Sequence, residues 1–388
     1  MQQLRNIYAL SDLERLARKR LPKSLFTYIA AGAGDGTVVS ASRHAFDSYK
    51  LVPKVLTNVS ERNKQVTLFG RPFDAPIGVA PMGIASLCHF DGDRALAKAA
   101  ARHNLPYVLS GASTTPLEAV LKVNDATWFQ AYLSSRWELT APLLDRLSTS
   151  GVKTLVITVD VPVAAIREAE RRAGFSVPLK VSPKLAIDAL MHPRWLLGSL
   201  GRSLLKQGVP HFENIGAGRS GPVFSTSVDH RASRAEFTWD HIKQIREYWK
   251  GNLVLKGILR TEDALRAESI GVDGLIVSNH GGRQLGGCVT PMEVLAQIVS
   301  AAPNLTVMVD GGVRRGVDVL KALALGAKCA FIGRPVMYGL ASHGSTGASH
   351  ALEVLKREID IDMALVGCSE THSIDHSFIL NPTQAGAP

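Results

Sequence analysis

From residue 76 to residue 333 short apolar runs alternate with longer stretches in which apolar residues recur every three or four positions. Runs bounded by glycine, proline or polar turns read as buried strands, and the 3.6-period stretches read as helices packed on them. Strands are predicted at 76–80, 105–110, 127–132, 153–159, 253–256, 274–278, 306–310 and 329–333. Each precedes a predicted helix, at 91–103, 116–123, 138–150, 239–249, 261–270, 291–302, 317–325 and 348–365. Eight βα units over about 260 residues match a closed barrel, whereas open doubly wound sheets usually stop at five or six strands. The predicted fold class is therefore α/β, a (β/α)8 TIM barrel with an N-terminal helical extension and a long insertion after the fourth strand. A single domain spans 1–388: a helical segment over 1–75, including a helix near 9–20, the barrel over 76–365, and a tail over 366–388. The insertion occupies 165–235, where the regular alternation stops.

Composition narrows the class of molecule. Hydrophobic residues make up 46% of the chain and charged residues 20%, enough for a large core and too few charges for a disordered tail. The apolar runs are too short to cross a bilayer, and the opening MQQLRNIYALSDLERLARKR mixes charges into a helical pattern, unlike a signal peptide. Cys88, Cys288, Cys329 and Cys368 form no Cys-x-x-Cys pair, which argues against a zinc site or disulfide framework. Four buried thiols, a reducing cytoplasmic compartment and no metal are expected.

The net charge of +10 permits nucleic acid, an anionic membrane face or acidic ligands as partners. Its distribution points to a local cause, because residues 165–235 hold 11 Lys/Arg against 5 Asp/Glu. No nucleic-acid partner is expected. On an ideal helix after Pro193, Leu196, Leu197, Leu200 and Leu204 would share one face, with Arg202 and Lys206 on another. Two readings stay open: an interfacial helix making peripheral contact at the inner face of the membrane through 184–206, or a lid packed on the barrel or on a neighbouring subunit.

A βα barrel carries its chemistry at the C-terminal strand ends. There the chain places Pro81, Met82 and Gly83; Ser110; Gln130 and Tyr132; Thr158 and Asp160; Lys256; His280 and Arg283; Asp310 to Arg314; and Gly333 with Arg334. A histidine exchanges a proton near neutral pH, an aspartate can orient it, and arginine grips a carboxylate with paired hydrogen bonds. Glycines and arginines after the last two strands suit a phosphate. Lys256, ending an apolar strand, fits a Schiff-base lysine, a structural ion pair or a cation beside a cofactor that becomes anionic. No GxGxxG follows a first strand and no GxxxxGK[ST] occurs, so neither dinucleotide-fold NAD binding nor P-loop chemistry has support. The set reads as proton abstraction from an acid beside a phosphorylated electron acceptor.

The segment SNHGGRQ at 278–284 resembles the signature of the FMN-dependent α-hydroxy acid oxidases and dehydrogenases, the family of glycolate oxidase, L-lactate dehydrogenase and mandelate dehydrogenase. The resemblance covers nearly the whole chain, through LPKSLFTYIAAGA, PIGVAPMG, FQAY, ITVDVP, LVLKGI, VDGGVRRG, ALALGA and FIGRP in the family's order. It implies FMN as cofactor and a small (S)-2-hydroxy acid as substrate. His280 would be the base with Asp160 as its partner; Arg283, Tyr28 and Arg167 would bind the substrate carboxylate, with Tyr132 beside it. Lys256 would stabilise the reduced flavin. Ser110, Gln130, Thr158, Ser278 and the segment Pro81, Met82, Gly83 would contact the ring. Asp310, Gly311, Gly312, Arg314, Gly333 and Arg334 would hold the ribityl phosphate. A homotetramer is implied, with a quinone, another acceptor or oxygen taking the electrons.

Three positions depart from the family pattern. Gly286 replaces an aspartate, which would loosen the loop beside the base. Ile166 stands where an arginine is common, although Arg167 remains. Ala112 replaces a large aromatic and implies a roomier pocket. Gly83, where many oxidases have alanine, favours a dehydrogenase.

Overall fold

The computed structural model of the chain describes residues 4, 6–176, 182–223 and 233–380. Eight parallel strands form one sheet: β1 (Ile77–Val79), β2 (Val108–Ser110), β3 (Trp128–Ala131), β4 (Thr154–Thr158), β5 (Asn252–Ile258), β6 (Gly274–Val277), β7 (Thr306–Asp310) and β8 (Ala330–Ile332). Each strand lies beside its sequence neighbour, β8 pairs with β1, and a parallel bridge between Val79 and Tyr107 joins β1 to β2. The sheet closes, as the eightfold alternation predicts.

Strand periodicity then fixes what points into the barrel, because residues two apart share a face. Val108, Trp128, Val156, Val254, Ile276 and Met308 pack together with Phe331 as the barrel's inner core. Two residues further along the same strands stand Ser110, Gln130, Thr158, Lys256, Ser278 and Asp310, all buried. A polar layer thus sits directly on an apolar one. The opposite end is closed by a hairpin, Val66–Leu68 with Arg71–Phe73, whose Leu68 and Phe73 join the inner core.

Three N-terminal helices lead into the barrel: α1 (Leu10–Arg20), α2 (Lys23–Ala30) and α3 (Thr37–Ser48). The tail is tied back, because Ile379–Leu380 pairs antiparallel with Lys50–Leu51; residues 381–388 of the expected tail lie outside the described residues.

Two expectations need correction. The last helix begins immediately after β8, at Arg334, and runs to Val366 with a break at His343 and Gly344, instead of starting near 348. Its first half is glycine-rich, which hides a helix from propensity. In the insertion, the helices Pro183–Leu190, Pro193–Trp195 and Arg202–Gln207 flank a π-helical turn, Leu196–Gly201. The wider turn breaks the α-helical register. Leu196 and Leu200 therefore pack on the core while Leu197 and Leu204 face out, so the four leucines do not share a face. Parts of the predicted insertion, 177–181 and 224–232, lie outside the described residues. Of the cysteines, Cys88, Cys329 and Cys368 are buried as expected, and Cys288 is only partly covered. No helix among the described residues is long and apolar enough to cross a membrane.

Candidate active site

One cavity, about 1080 Å³ with its open mouth included, lies above the polar layer at the C-terminal strand ends. It is lined by Tyr28, Pro81, Met82, Gly83, Tyr132, Thr158, Arg167, Lys256, His280, Arg283, the run Asp310–Arg314, Gly333 and Arg334. Most of the residues singled out by sequence therefore meet in a single space. Ser110, Gln130, Asp160 and Ser278 are not on its wall.

The loop after β6 delivers the base. Ser278 accepts from the His280 N–H through its Oγ at 3.0 Å, and His280, Gly281 and Gly282 all adopt left-handed backbone, with φ of 59°, 64° and 73°. Two of these positions are glycines, for which such a conformation costs little; the third is a histidine held against its preference, a kind of strain that concentrates at functional sites. Its Nδ1 lies 3.0 Å from Asp160 Oδ1. Asp160 can approach because β5 has a register shift at Gly257, which has a φ of 109° and where any Cβ would lie 2.7 Å from Asp160. Burial pushes the Asp160 carboxyl up, but the charges of His280 and then Lys256 outweigh it and hold it below the ordinary carboxylate range.

That depressed value fixes a pH signature. A carboxylate with a folded pKa below the unfolded one stabilises the protein above the unfolded value, near 3.9, and loses that contribution as pH falls through the folded one. Asp160→Asn is accordingly expected to be less stable than the parent by about 1–3 kcal/mol at pH 7. Urea melts at decreasing pH should show this gap closing below about pH 4.

Arg283 is aimed by the C-terminal end of α2. Its Nη1 donates to the carbonyls of Tyr28 (2.6 Å) and Ala31 (2.9 Å), and its Nη2 to Glu170 Oε1 at 2.8 Å. With three of the five guanidinium N–H groups so engaged, one on Nε and one on Nη2 remain for an anion among the described residues. Arg167 donates to the Arg283 carbonyl at 3.0 Å and lies 3.8 Å from Glu170. The two arginines and one glutamate leave a net single positive charge at the cavity. Glu170 is a member of this cluster that sequence reasoning missed. Its signal was a carboxylate one helical turn after Arg167, in a segment read only as basic.

Lys256 is ion-paired in the structure: its Nζ lies 2.9 Å from Asp310 and donates to Ser278 Oγ at 2.7 Å. Burial would lower its pKa, but Asp310 and then Asp160 raise it, so the ammonium stays charged at the cavity floor. Burial raises Tyr28 to about 12 and also lifts Tyr132, so both phenols remain protonated donors.

Around this lysine several buried polar atoms lack a protein partner: Gln130 Nε2, Thr158 Oγ1 and Asp310 Oδ1. Each costs roughly 1–3 kcal/mol unless something pairs with it. Thr158 and Asp310 line the cavity and Gln130 does not, and together their unpaired atoms offer donors and acceptors of the kind the polar edge of a flavin requires. At the other end, Arg334 donates to the carbonyls of Ile29 and Ala31, both at 3.0 Å, and opens the last helix. Burial and then the charges of Arg283 and Arg314 drive its pKa down to about 9. Crowded guanidinium groups at a helix N-terminus call for an anion such as a phosphate. Gly312 must be glycine, since a Cβ there would strike the Ser42 carbonyl on α3.

Of the three unusual positions two are exposed and one lines the cavity. Gly286 is exposed, with open space around it, so the missing aspartate leaves no hole. Ile166 is exposed and is not on the cavity wall. Ala112 lines the cavity beside Gly83.

Comparison with known proteins agrees with this geometry. A family model described as FMN-dependent dehydrogenase matches residues 17–381. The chain is 37% identical to (S)-mandelate dehydrogenase of Pseudomonas putida, over 97% of this chain and 94% of that one. It is 38% identical to L-lactate oxidase of a Nostoc species, over 95% and 97%. A crystal structure of the monotopic membrane protein (S)-mandelate dehydrogenase superposes with a TM-score of 0.89 at 36% identity, covering 97% of this chain and all of that one.

Proposed function

The chain belongs to the FMN-dependent dehydrogenase family, and on that premise we propose that it oxidises a small (S)-2-hydroxy acid, mandelate-like or lactate-like, to the 2-oxo acid. The observation that carries the reading is the meeting, in one cavity, of a His280–Asp160 pair, a net-cationic Arg283–Arg167–Glu170 cluster and a floor of unpartnered polar atoms.

Ser110, Gln130, Thr158, Lys256 and Ser278, with the Pro81–Met82–Gly83 segment, would hold the flavin ring, and Asp310, Gly311, Gly312, Arg314, Gly333 and Arg334 its phosphate. FMN bound there supplies the two-electron acceptor that amino-acid side chains lack. Arg283, Arg167 and the Tyr28 hydroxyl fix the substrate carboxylate. Tyr132 donates beside the reacting carbon, and His280 takes the released proton on the nitrogen that Asp160 does not hold. Asp160 keeps the ring in that tautomer and stabilises the charge it gains. The small side chains at Gly83 and Ala112 favour a bulky substituent, which a panel of 2-hydroxy acids tests: an aryl acid should give a higher kcat/KM than glycolate.

We favour a dehydrogenase passing electrons to a quinone. The insertion displays Ile187, Leu190, Met191, Leu197 and Leu205 to solvent, Leu205 at 88% exposure, beside the exposed Arg194, Arg202 and Lys206. Apolar side chains ringed by cations fit the surface of an anionic membrane. Vesicles of anionic phospholipid should pellet the protein at low salt, and the Leu197→Gln/Leu205→Gln variant should bind at least about tenfold more weakly. A protein that stays wholly in the supernatant defeats this part of the reading. The alternative is an oxidase forming hydrogen peroxide, as the name of the Nostoc relative suggests. Re-oxidation of the reduced protein by a soluble quinone faster than by air-saturated buffer supports the dehydrogenase, and the reverse supports the oxidase.

A further inference from the structure

Helix α2 carries Tyr28 and, at its C-terminal end, the carbonyls that aim Arg283 and Arg334. Its N-terminus begins after Pro22, whose side chain cannot cap it. The cap comes instead from the insertion, 165 residues further along the chain. Both carboxylate oxygens of Asp188 are used: one accepts from the Lys23 N–H at 3.0 Å, the other from the Ser24 N–H at 3.0 Å and from the Ser24 hydroxyl at 3.1 Å. Asp188 belongs to the helix Pro183–Leu190, which turns Ile187 and Leu190 outward, both more than half exposed. The same short helix therefore faces solvent on one side and grips α2 on the other. At eight residues α2 is about 12 Å long, a single stiff body joining Asp188 to the arginines.

We propose that Asp188 is a positioning residue for substrate binding: by capping α2 from the insertion, it sets where Tyr28 and Arg283 stand, so the seating of the insertion governs affinity for the acid. The proposal rests on the reading of Tyr28 and Arg283 as the carboxylate clamp. Asp188 does not reach the reacting atoms, so it should act on binding and leave the chemical step alone.

Stopped-flow reduction of the holoenzyme under anaerobic conditions separates the two, with substrate Kd and limiting rate read from one titration. Asp188→Ala is expected to raise Kd by about tenfold while the limiting rate stays within about twofold and the FMN content is unchanged. Asp188→Asn, which keeps an acceptor for only one of the two N–H groups, should fall between, at roughly two- to fourfold, and it carries the test should the alanine variant fail to fold. An Asp188→Ala protein with the parent's Kd overturns the proposal. So does a parallel loss of Kd, limiting rate and FMN, which marks a merely structural cap. A parent that no 2-hydroxy acid reduces removes the clamp itself, whereas a parent that is reduced beside an unaffected variant defeats the positioning role alone.

Discussion

Replacing His280 with glutamine is expected to slow anaerobic flavin reduction by about 10²- to 10⁴-fold while leaving the protein yellow, the range typical for removing a general base. The two halves of that expectation have separate origins. The proposed proton acceptor is one imidazole, set by a left-handed backbone and tied to Asp160. The polar layer proposed to hold the flavin comes from other strands: Ser110 donates to Gln130 at 3.1 Å, and Lys256 is bound to Ser278 and Asp310. Glutamine keeps a polar side chain at the site but cannot take up a proton near neutral pH. Stopped-flow absorbance with a saturating 2-hydroxy acid measures the rate, and the visible spectrum reports the cofactor. Reduction at the parent's rate would remove His280 from the role of base.

The second large effect is at Arg283. Arg283→Ala is expected to lower kcat/KM for the acid by about 10²- to 10³-fold, since losing one partner of a buried charge pair costs about 2–5 kcal/mol. Part of that loss comes from Glu170, a buried carboxylate 2.8 Å from the guanidinium, which would then repel the incoming substrate. The Arg283→Ala/Glu170→Gln double variant should therefore recover some of the deficit. A double variant no better than the single one would place the whole effect in lost contacts to the substrate, and a kcat/KM within a fewfold of the parent would remove Arg283 from the clamp.

Much of this site was legible because strand periodicity is simple. Once Val254 is known to face inward, Lys256 must as well, and the same step places Ser110, Gln130, Thr158, Ser278 and Asp310. Elements whose contacts are non-local were harder to see. The hairpin that closes the far end of the barrel has strands of three residues each, too short for alternation to register. The π-helical turn at Leu196–Gly201 changes the face of every later leucine, and the sequence there looks like an ordinary helix. Glu170 hid in a basic segment because its partners, Arg283 above all, come from a distant loop. Asp188 was invisible as a cap for the same reason: it serves a helix that begins 165 residues earlier.

In the proposed reaction one cavity holds FMN and the 2-hydroxy acid together. An anaerobic titration of the purified yellow protein with (S)-mandelate and (S)-lactate, followed by the flavin absorbance and by assay of the 2-oxo acid, tests it most directly. One equivalent of at least one (S)-acid should bleach one equivalent of FMN and yield one equivalent of 2-oxo acid, while the (R)-enantiomer leaves the spectrum unchanged. A colourless protein that takes up no FMN, or a flavin that dithionite reduces but no 2-hydroxy acid does, would contradict it.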